Sequence, residues 1–497
     1  MRTALPTGSR QPTSSGSGDV IVPFYGAAPS AVEKKAIFAK LKIRERSASF
    51  TPGSNSMSKV RRDFLKSAGL GVLGTSLLSQ NLPVHAAESN TINIALVGCG
   101  GRGGGAVLDA MNPATGPTKL VAMADVFRDR VVNLTPSLNE RLGDRAGVPP
   151  ERTFYGFDSY KKAIDCLRPG DVVLLATPPV FRPLHVEYAI SKGVHIFMEK
   201  PFATDSPGTR RLQAAVKAAD EKNIKIAAGL MWRHCAARQE AIKRIHNGDI
   251  GELIHLRGFR LQGGVGLRAR RADETEVAYQ LRNFHHFDWA GGNILIDYII
   301  HNIDVACWAK DALPAKALGF GGRSRPIPHG QMFDSWYTEF EFADGTHLSS
   351  HCATRSNCID TYTDFAHGTK GSAILMGSLG QAKTQLFKAQ AMVSENRIWE
   401  YQGREPNPYQ VEHNVFFDAI RNDKPCNEGH RACEANFSSL LARAAINSGK
   451  LVTWDEIVKS ELKLVDIDTL TFDSEPPVKP NEDGSHPYAI PGQTVAF

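Results

Sequence analysis

The sequence predicts an α/β fold: a parallel sheet with crossover helices, followed by an α+β domain with antiparallel strands. Two observations carry this. From residue 91, short apolar runs alternate with helical segments, the pattern of strands buried on both faces by crossover helices. After about residue 230 the runs lengthen and alternate apolar with polar residues, the signature of strands with one face on a core.

Taken in order, Ile92–Val97, Leu120–Ala124, Val172–Ala176, Val194–Met198 and Ile226–Ala228 are the expected strands of the parallel sheet. Leu212, Ala215, Val216 and Ala219 recur at helical spacing and place a crossover helix between the last two. Glu252–Leu261, Ala315–Gly321, Trp336–Phe342 and His347–Thr354 are expected strands of the second domain, with a turn at Ala343, Asp344 and Gly345. Two helices follow, one through Val415, Phe416, Ala419 and Ile420, the other through Phe437, Leu440, Leu441 and Ala444. The expected domains are residues 91–230 and 231–465, and residues 466–497 form an extended tail that is Pro-rich from Pro476. Wrapping over a neighbouring surface and disorder both remain open for it.

With 497 residues, 42% hydrophobic and 22% charged, the chain is long enough for two folded domains. Its net charge is only +6, with 58 basic and 52 acidic residues mixed along its length, which argues against nucleic acid as a partner. Residues 1–56 are rich in Gly, Ser and Pro without apolar periodicity and are not expected to fold. Residues 57–87 carry Arg61-Arg62, the apolar run Ala68–Leu78 and the small-residue stretch up to Ala87, which looks like a twin-arginine signal cut after Ala86. Periplasmic or exported localisation through the twin-arginine machinery is therefore expected. The eight cysteines include no CxxC pair; Cys426 and Cys433 are read as unlinked core thiols.

The first strand runs directly into Gly98-Cys99-Gly100-Gly101-Arg102-Gly103 and then a helix. In a Gly-x-Gly-x-x-Gly turn, Gly98 allows the tight turn, Gly100 lets backbone approach a pyrophosphate, and Gly103 lets the helix sit close to the strand. Gly101 and Arg102 stand at the helix N-terminus, whose free amides favour phosphate. The second strand ends in Asp125, placed to accept hydrogen bonds from an adenosine ribose. This predicts a Rossmann dinucleotide-binding domain. The carboxylate favours NAD over NADP; Arg128 and Arg130 are read as solvated arginines on a loop, the alternative being that either turns inward and neutralises a ribose phosphate.

Three further motifs bear on chemistry. Thr177-Pro178 closes a strand, with His185 downstream, and is expected at the nicotinamide pocket. Glu199-Lys200-Pro201 closes another strand at the sheet edge where open parallel sheets bind ligands, so the Lys200 ammonium can hold a substrate oxygen. Asp297 and His301 are four apart in Gly291-Gly292-Asn293 to Asp304, sharing a helix face as a histidine base with a carboxylate beside it. His285, His286 and Asp288 have metal-ligand chemistry, but lysine and histidine already supply what is needed, and no metal is expected.

In this order the motifs resemble the Gfo/Idh/MocA family, which includes glucose-fructose oxidoreductase and inositol dehydrogenase, over residues 91–465. The resemblance implies a C-terminal domain built on a largely antiparallel open sheet whose face makes homodimers or homotetramers. It also implies Lys200 as the catalytic lysine, His301 as acid/base and Asp297 as its partner in the substrate pocket. Asn293 departs from the usual glycine there, as an added polar group or a replaced turn residue. Trp232 and Arg233 are expected to touch substrate, Trp232 by stacking on a sugar ring. The expected activity is hydride transfer between a nicotinamide cofactor and a sugar or polyol, with the cofactor expected to stay bound between turnovers in an exported enzyme. The alternatives are an NAD-dependent glycoside hydrolase working by transient oxidation, and a non-catalytic sugar-binding scaffold.

Overall fold

The first sheet has six strands, all parallel: β1 (Ile92–Val97), β2 (Thr118–Asp125), β3 (Thr153–Tyr155), β4 (Val172–Leu175), β5 (His195–Met198) and β6 (Ile226–Ala228), in the order β3-β2-β1-β4-β5-β6. The computed structural model describes residues 90–327, 329–376 and 383–497, so the expected extension 1–56 and signal 57–87 lie outside the described residues. Every residue of β4 is buried, as is all of β1 except Asn93, because helices cover both faces. These are α1 (Gly101–Ala110), α2 (Arg128–Leu142), α3 (Ser159–Ile164), α4 (Arg182–Ser191) and α5 (Ser206–Glu221). The sheet reverses direction between β1 and β4, which puts a crevice at their C-terminal ends. Strand β3 was not expected: its three residues are half-exposed and exposed at the sheet edge, so no apolar run announces it.

The second half opens with α6 (Ala236–His246), β7 (Leu253–Gln262), α7 (Glu276–Arg282), α8 (Asp288–Gly291) and α9 (Asn293–Lys310). It continues through β8 (Lys316–Gly322), β9 (Ser335–Glu341), β10 (His347–Thr354), β11 (Thr361–Gly368), β12 (Ser372–Met376), β13 (Gln385–Phe387) and β14 (Arg397–Glu400). Helices α10 (Pro408–Arg421) and α11 (Gly429–Ser448), the short β15 (Val452–Thr453) and α12 (Trp454–Lys459) complete it. Nine strands make one sheet, β14-β13-β12-β11-β7-β10-β9-β8-β15, antiparallel except for the β7–β10 pair. The alternation read in the sequence is a buried inner face: on β9, Trp336, Thr338 and Phe340 are buried while their neighbours are half-exposed. Helix α9 lies against this face so closely that a Cβ on Gly258 of β7 would stand 3.0 Å from the Cβ of Asn302.

The tail neither leaves the molecule nor hangs free. Val478 O accepts from Gln280 Nε2 at 2.6 Å, His486 Nε2 lies 2.9 Å from Glu276 Oε1, and Gly492 N donates to Ser448 O at 2.8 Å. Cys426 and Cys433 are free thiols, as expected.

Helix α11 joins the two halves. Asn436 on it is fully buried; its Oδ1 accepts from Phe202 N and Ala203 N at 3.1 and 3.2 Å, and its Nδ2 donates to Ala203 O and Thr209 Oγ1. Phe202 and Ala203 belong to the loop after β5 and Thr209 to α5, so the amide fixes the segment that follows Lys200. Asn436→Leu leaves two buried amides unpaired and should lower unfolding stability by about 2–4 kcal/mol in urea titrations.

Candidate active site

The C-terminal ends of β1, β2, β4 and β5 open on a cavity of about 510 Å³. At its floor Gly98 has φ +106°, and a Cβ there would lie 2.5 Å from the carbonyl carbon of Ala176, so only glycine fits. A Cβ on Gly103 would lie 1.9 Å from Gly98 O; this residue sets the approach of α1 to β1 and is not itself on the cavity wall. A Cβ on Gly101 would meet nothing within 4 Å, and α1 starts without a side-chain cap or an acidic residue in its first turn. The first amides of α1 are therefore free to face the cavity, an arrangement suited to a pyrophosphate.

Asp125 lies on the same wall. Its Oδ2 accepts from Cys99 N at 2.7 Å and its Oδ1 from Phe127 N at 2.9 Å, so it braces the glycine turn and keeps lone pairs for a ribose. Burial pushes its pKa up, against these two amides and Arg130. Arg128 and Arg130 sit on α2 and not on a loop; Arg128 is exposed, while Arg130 is half-buried on the cavity wall.

The strand-end residues converge on the other side. Lys200 Nζ donates to Asp297 Oδ1 at 2.9 Å and to Asp297 O at 3.0 Å, joining the end of β5 to α9. Burial opposes charge on Asp297, but Lys200, followed by His285, holds its pKa below the ordinary carboxylate value. His301, one turn along α9, is buried on the cavity wall. Burial, then the Lys200 charge, push its pKa well below the ordinary histidine value, so the imidazole is neutral around neutral pH. Glu199 is buried and paired with Arg102 Nε at 2.8 Å. Gly229 leaves room for it, since a Cβ there would stand 2.7 Å from Glu199 Oε2.

Behind both strand ends lies Arg182, which sequence reasoning missed. Fully buried, it donates from Nη2 to Thr177 O at 2.7 Å and from Nε to Glu199 O at 3.1 Å. One guanidinium thus fixes the ends of β4 and β5, keeping Thr177, Pro178 and Lys200 on one wall.

Three expected residues lie elsewhere. His185 is buried between the rings of Tyr160 and Phe181, at 4.2 and 5.7 Å, with Nδ1 3.4 Å from Thr177 Oγ1; it supports the strand end from behind and is absent from the cavity wall. Arg233 is held away by a two-pronged pair with Asp304, at 2.7 and 2.8 Å, tying the turn after β6 to α9. Trp232 is also off the wall: its Nε1 donates to Tyr362 Oη at 2.7 Å, and Arg238 lies over its ring at 3.9 Å. Asn293 has φ +78°, so it occupies a left-handed turn position as glycine would; its side chain accepts from Leu295 N at 3.3 Å.

The sequence also gave no warning of the roof. Gly266, Arg268 and the stretch from Leu281 to His286 line the same cavity as the glycine turn, with Arg282, Asn283 and His285 among them. Asp129 at the start of α2 binds Arg271 at 3.0 Å and Arg282 at 3.1 Å, fastening this strap to the first domain. Tyr409, at the start of α10, closes another side, with the Arg102 guanidinium 4.7 Å from its ring. Charge pairs and ring contacts between segments so distant in sequence leave no local pattern. Among the described residues no cluster of three His, Cys, Asp or Glu could hold a metal.

Residues 92–229 match the model of an oxidoreductase family with an NAD-binding Rossmann fold, GFO/IDH/MocA, and residues 238–374 match the C-terminal domain of the same family. The two matches together take in just over half of the chain, which belongs to the GFO/IDH/MocA family of oxidoreductases. A scyllo-inositol 2-dehydrogenase (NAD(+)) of Bacillus subtilis is 26% identical over 310 residues, 62% of this chain and 80% of that protein. A levoglucosan dehydrogenase of Pseudarthrobacter phenanthrenivorans is 29% identical over 228 residues, 41% of this chain and about half, 54%, of its own length. The solved structure of a levoglucosan dehydrogenase in complex with NADH and levoglucosan shares the fold, with a TM-score of 0.56 at 19% identity over 73% of this chain and 99% of that one.

Because the Gly103 Cβ has nowhere to go but backbone, Gly103→Ala should push α1 away from β1 and abolish NADH binding, read as loss of nicotinamide fluorescence enhancement on titration.

Proposed function

We propose that this chain oxidises or reduces a sugar or polyol at a CH–OH carbon, with NAD as its cofactor. The observation that supports it best is the Lys200–Asp297 contact, with His301 one turn away, on the same cavity as the open glycine turn. A bound nicotinamide supplies one thing, the acceptance or return of a hydride.

The remaining work falls to the chain. His301, neutral, can take the proton of a substrate hydroxyl. Lys200, aimed by Asp297, offers a donor to the same oxygen and steadies negative charge as the proton leaves. Asp297 stays ionised and offsets the two basic groups. Glu199, Arg182 and Thr177 hold the strand ends that carry these groups.

The NAD preference rests on Asp125, whose carboxylate at the end of β2 disfavours a ribose phosphate; Arg130 on the same wall works against it. The strap fastened through Asp129 suits a cofactor that stays bound, in keeping with export of an already loaded protein by the twin-arginine route that residues 57–87 suggest. The outer face of the nine-stranded sheet, where Phe320 is 65% and Ile254 50% exposed, suits a homo-oligomer interface.

The test is to denature the purified protein and identify released nucleotide by mass. Stoichiometric NAD is expected, and Lys200→Ala and His301→Ala should keep it while turnover falls by about 10²–10⁴. An empty protein that also fails to bind added NAD overturns the reading. Asp129→Ala cuts both strap contacts and should speed NAD release about tenfold, a loss of roughly 1.4 kcal/mol, in a stopped-flow chase against excess unlabelled nucleotide.

A further inference from the structure

The tail has no part in the chemistry described so far, yet it packs against the cofactor cavity. A buried apolar cluster backs that cavity, and three distant segments build it. Phe181 comes from the first domain, Leu281 from the strap, and Leu470 and Val478 from the tail, with Phe127 and Phe472 packed against them. Phe127, Phe181 and Leu281 line the cavity, while the tail residues stay off its wall.

Phe127 is the centre of this arrangement. Its N donates to Asp125 Oδ1 at 2.9 Å, so the ring stands beside the carboxylate placed for the adenosine ribose. The Arg282 guanidinium lies 3.9 Å from the Phe127 ring, and the Phe472 ring 5.5 Å from it. Phe472 also meets Phe157 edge-on at 4.9 Å; ring pairs at these spacings fix one another's orientation beyond what burial alone gives. Arg282 is itself held, by Asp129 at 3.1 Å and by Glu274 at 2.7 Å. Phe127 thus takes its orientation from one group in the strap and one in the tail.

The tail is fastened on both sides of Phe472. Before it, Asp205 Oδ2 accepts from Leu464 N at 3.0 Å, and Asp468 accepts from both Nη atoms of Arg211 at 2.9 and 3.0 Å. After it, Val478 and His486 are bonded to Gln280 and Glu276 of α7. The first anchors belong to the start of α5 and the second to the strap, so the stretch between them bridges the two and presses Phe472 on Phe127.

We propose that Phe472 is a positioning residue for the adenosine half of the cofactor, acting through Phe127 without touching the nucleotide. The inference rests on the NAD reading above. It gives the tail, whose place the sequence left open, a share in holding the cofactor, and it assigns that share to the end of the cavity away from Lys200 and His301.

The experiment is calorimetric titration of the full protein with NADH and with ADP-ribose. Phe472→Ala should weaken both by the same factor, about tenfold, since the loss lies wholly in the half they share. Phe472→Tyr, which keeps the ring, should restore both; Phe472→Leu, which keeps the apolar bulk without the ring, should not. ADP-ribose binding by Phe472→Ala equal to that of the parent overturns the assignment, and so does full restoration by leucine, the mark of a role in packing alone. Should the alanine variant fail to fold, hydrogen exchange on the unaltered protein decides: ADP-ribose should slow the amides of residues 468–474, and exchange left unchanged there overturns the proposal. A parent protein that binds neither NADH nor ADP-ribose removes the reading beneath; a parent that binds both, with Phe472→Ala indistinguishable from it, removes this inference alone.

Discussion

The contact on which the site depends is the one between Lys200 and Asp297. It crosses from the end of a parallel strand to a helix of the other domain, and nearly every oddity around it serves that crossing. A lysine at a strand end has a flexible stem, and only a fixed acceptor makes it a directed donor. Asp297 supplies the acceptor with both its side chain and its backbone carbonyl. Arg182 and Asn436 then fix the strand end itself, one from behind and one from α11. The chemistry thus rests on a joint between domains, braced on both sides.

The same joint sets the charge pattern. Burial, with the Lys200 charge added to it, keeps His301 neutral, and the same ammonium holds the Asp297 pKa down against its burial. Glu199 and Arg102 compensate each other a layer below. The result is a site in which a neutral imidazole stands one helical turn from the carboxylate that accepts from the Lys200 ammonium.

Much of this was legible in the sequence wherever chemistry follows a local pattern. The glycine turn after β1, the strand-closing Lys200 and the four-residue spacing of Asp297 and His301 are all short-range signals, and the structure brings those residues to one cavity. The buried strands β1 and β4 were equally plain, since an apolar run of that length has few other uses. What escaped was contact with no pattern in the chain: Arg182, which bonds the Thr177 and Glu199 carbonyls and the Thr177 hydroxyl; the roof around Arg282 and His285; Tyr409, more than two hundred residues after Lys200. Trp232, Arg233 and His185 show the opposite error. Each has the right chemistry near the right strand, yet each is held off the cavity by partners, Tyr362, Asp304 and Thr177, that spacing along the chain cannot announce.

The tail gives the cavity a dependence on chain order. Helix α7, which carries the roof, is held by Val478 and His486, residues some two hundred positions later. Asp129 can grip Arg271 and Arg282 as soon as α7 is made, whereas the contacts to Gln280 and Glu276 come from residues some two hundred positions later, so the ceiling receives its anchors in two widely separated instalments.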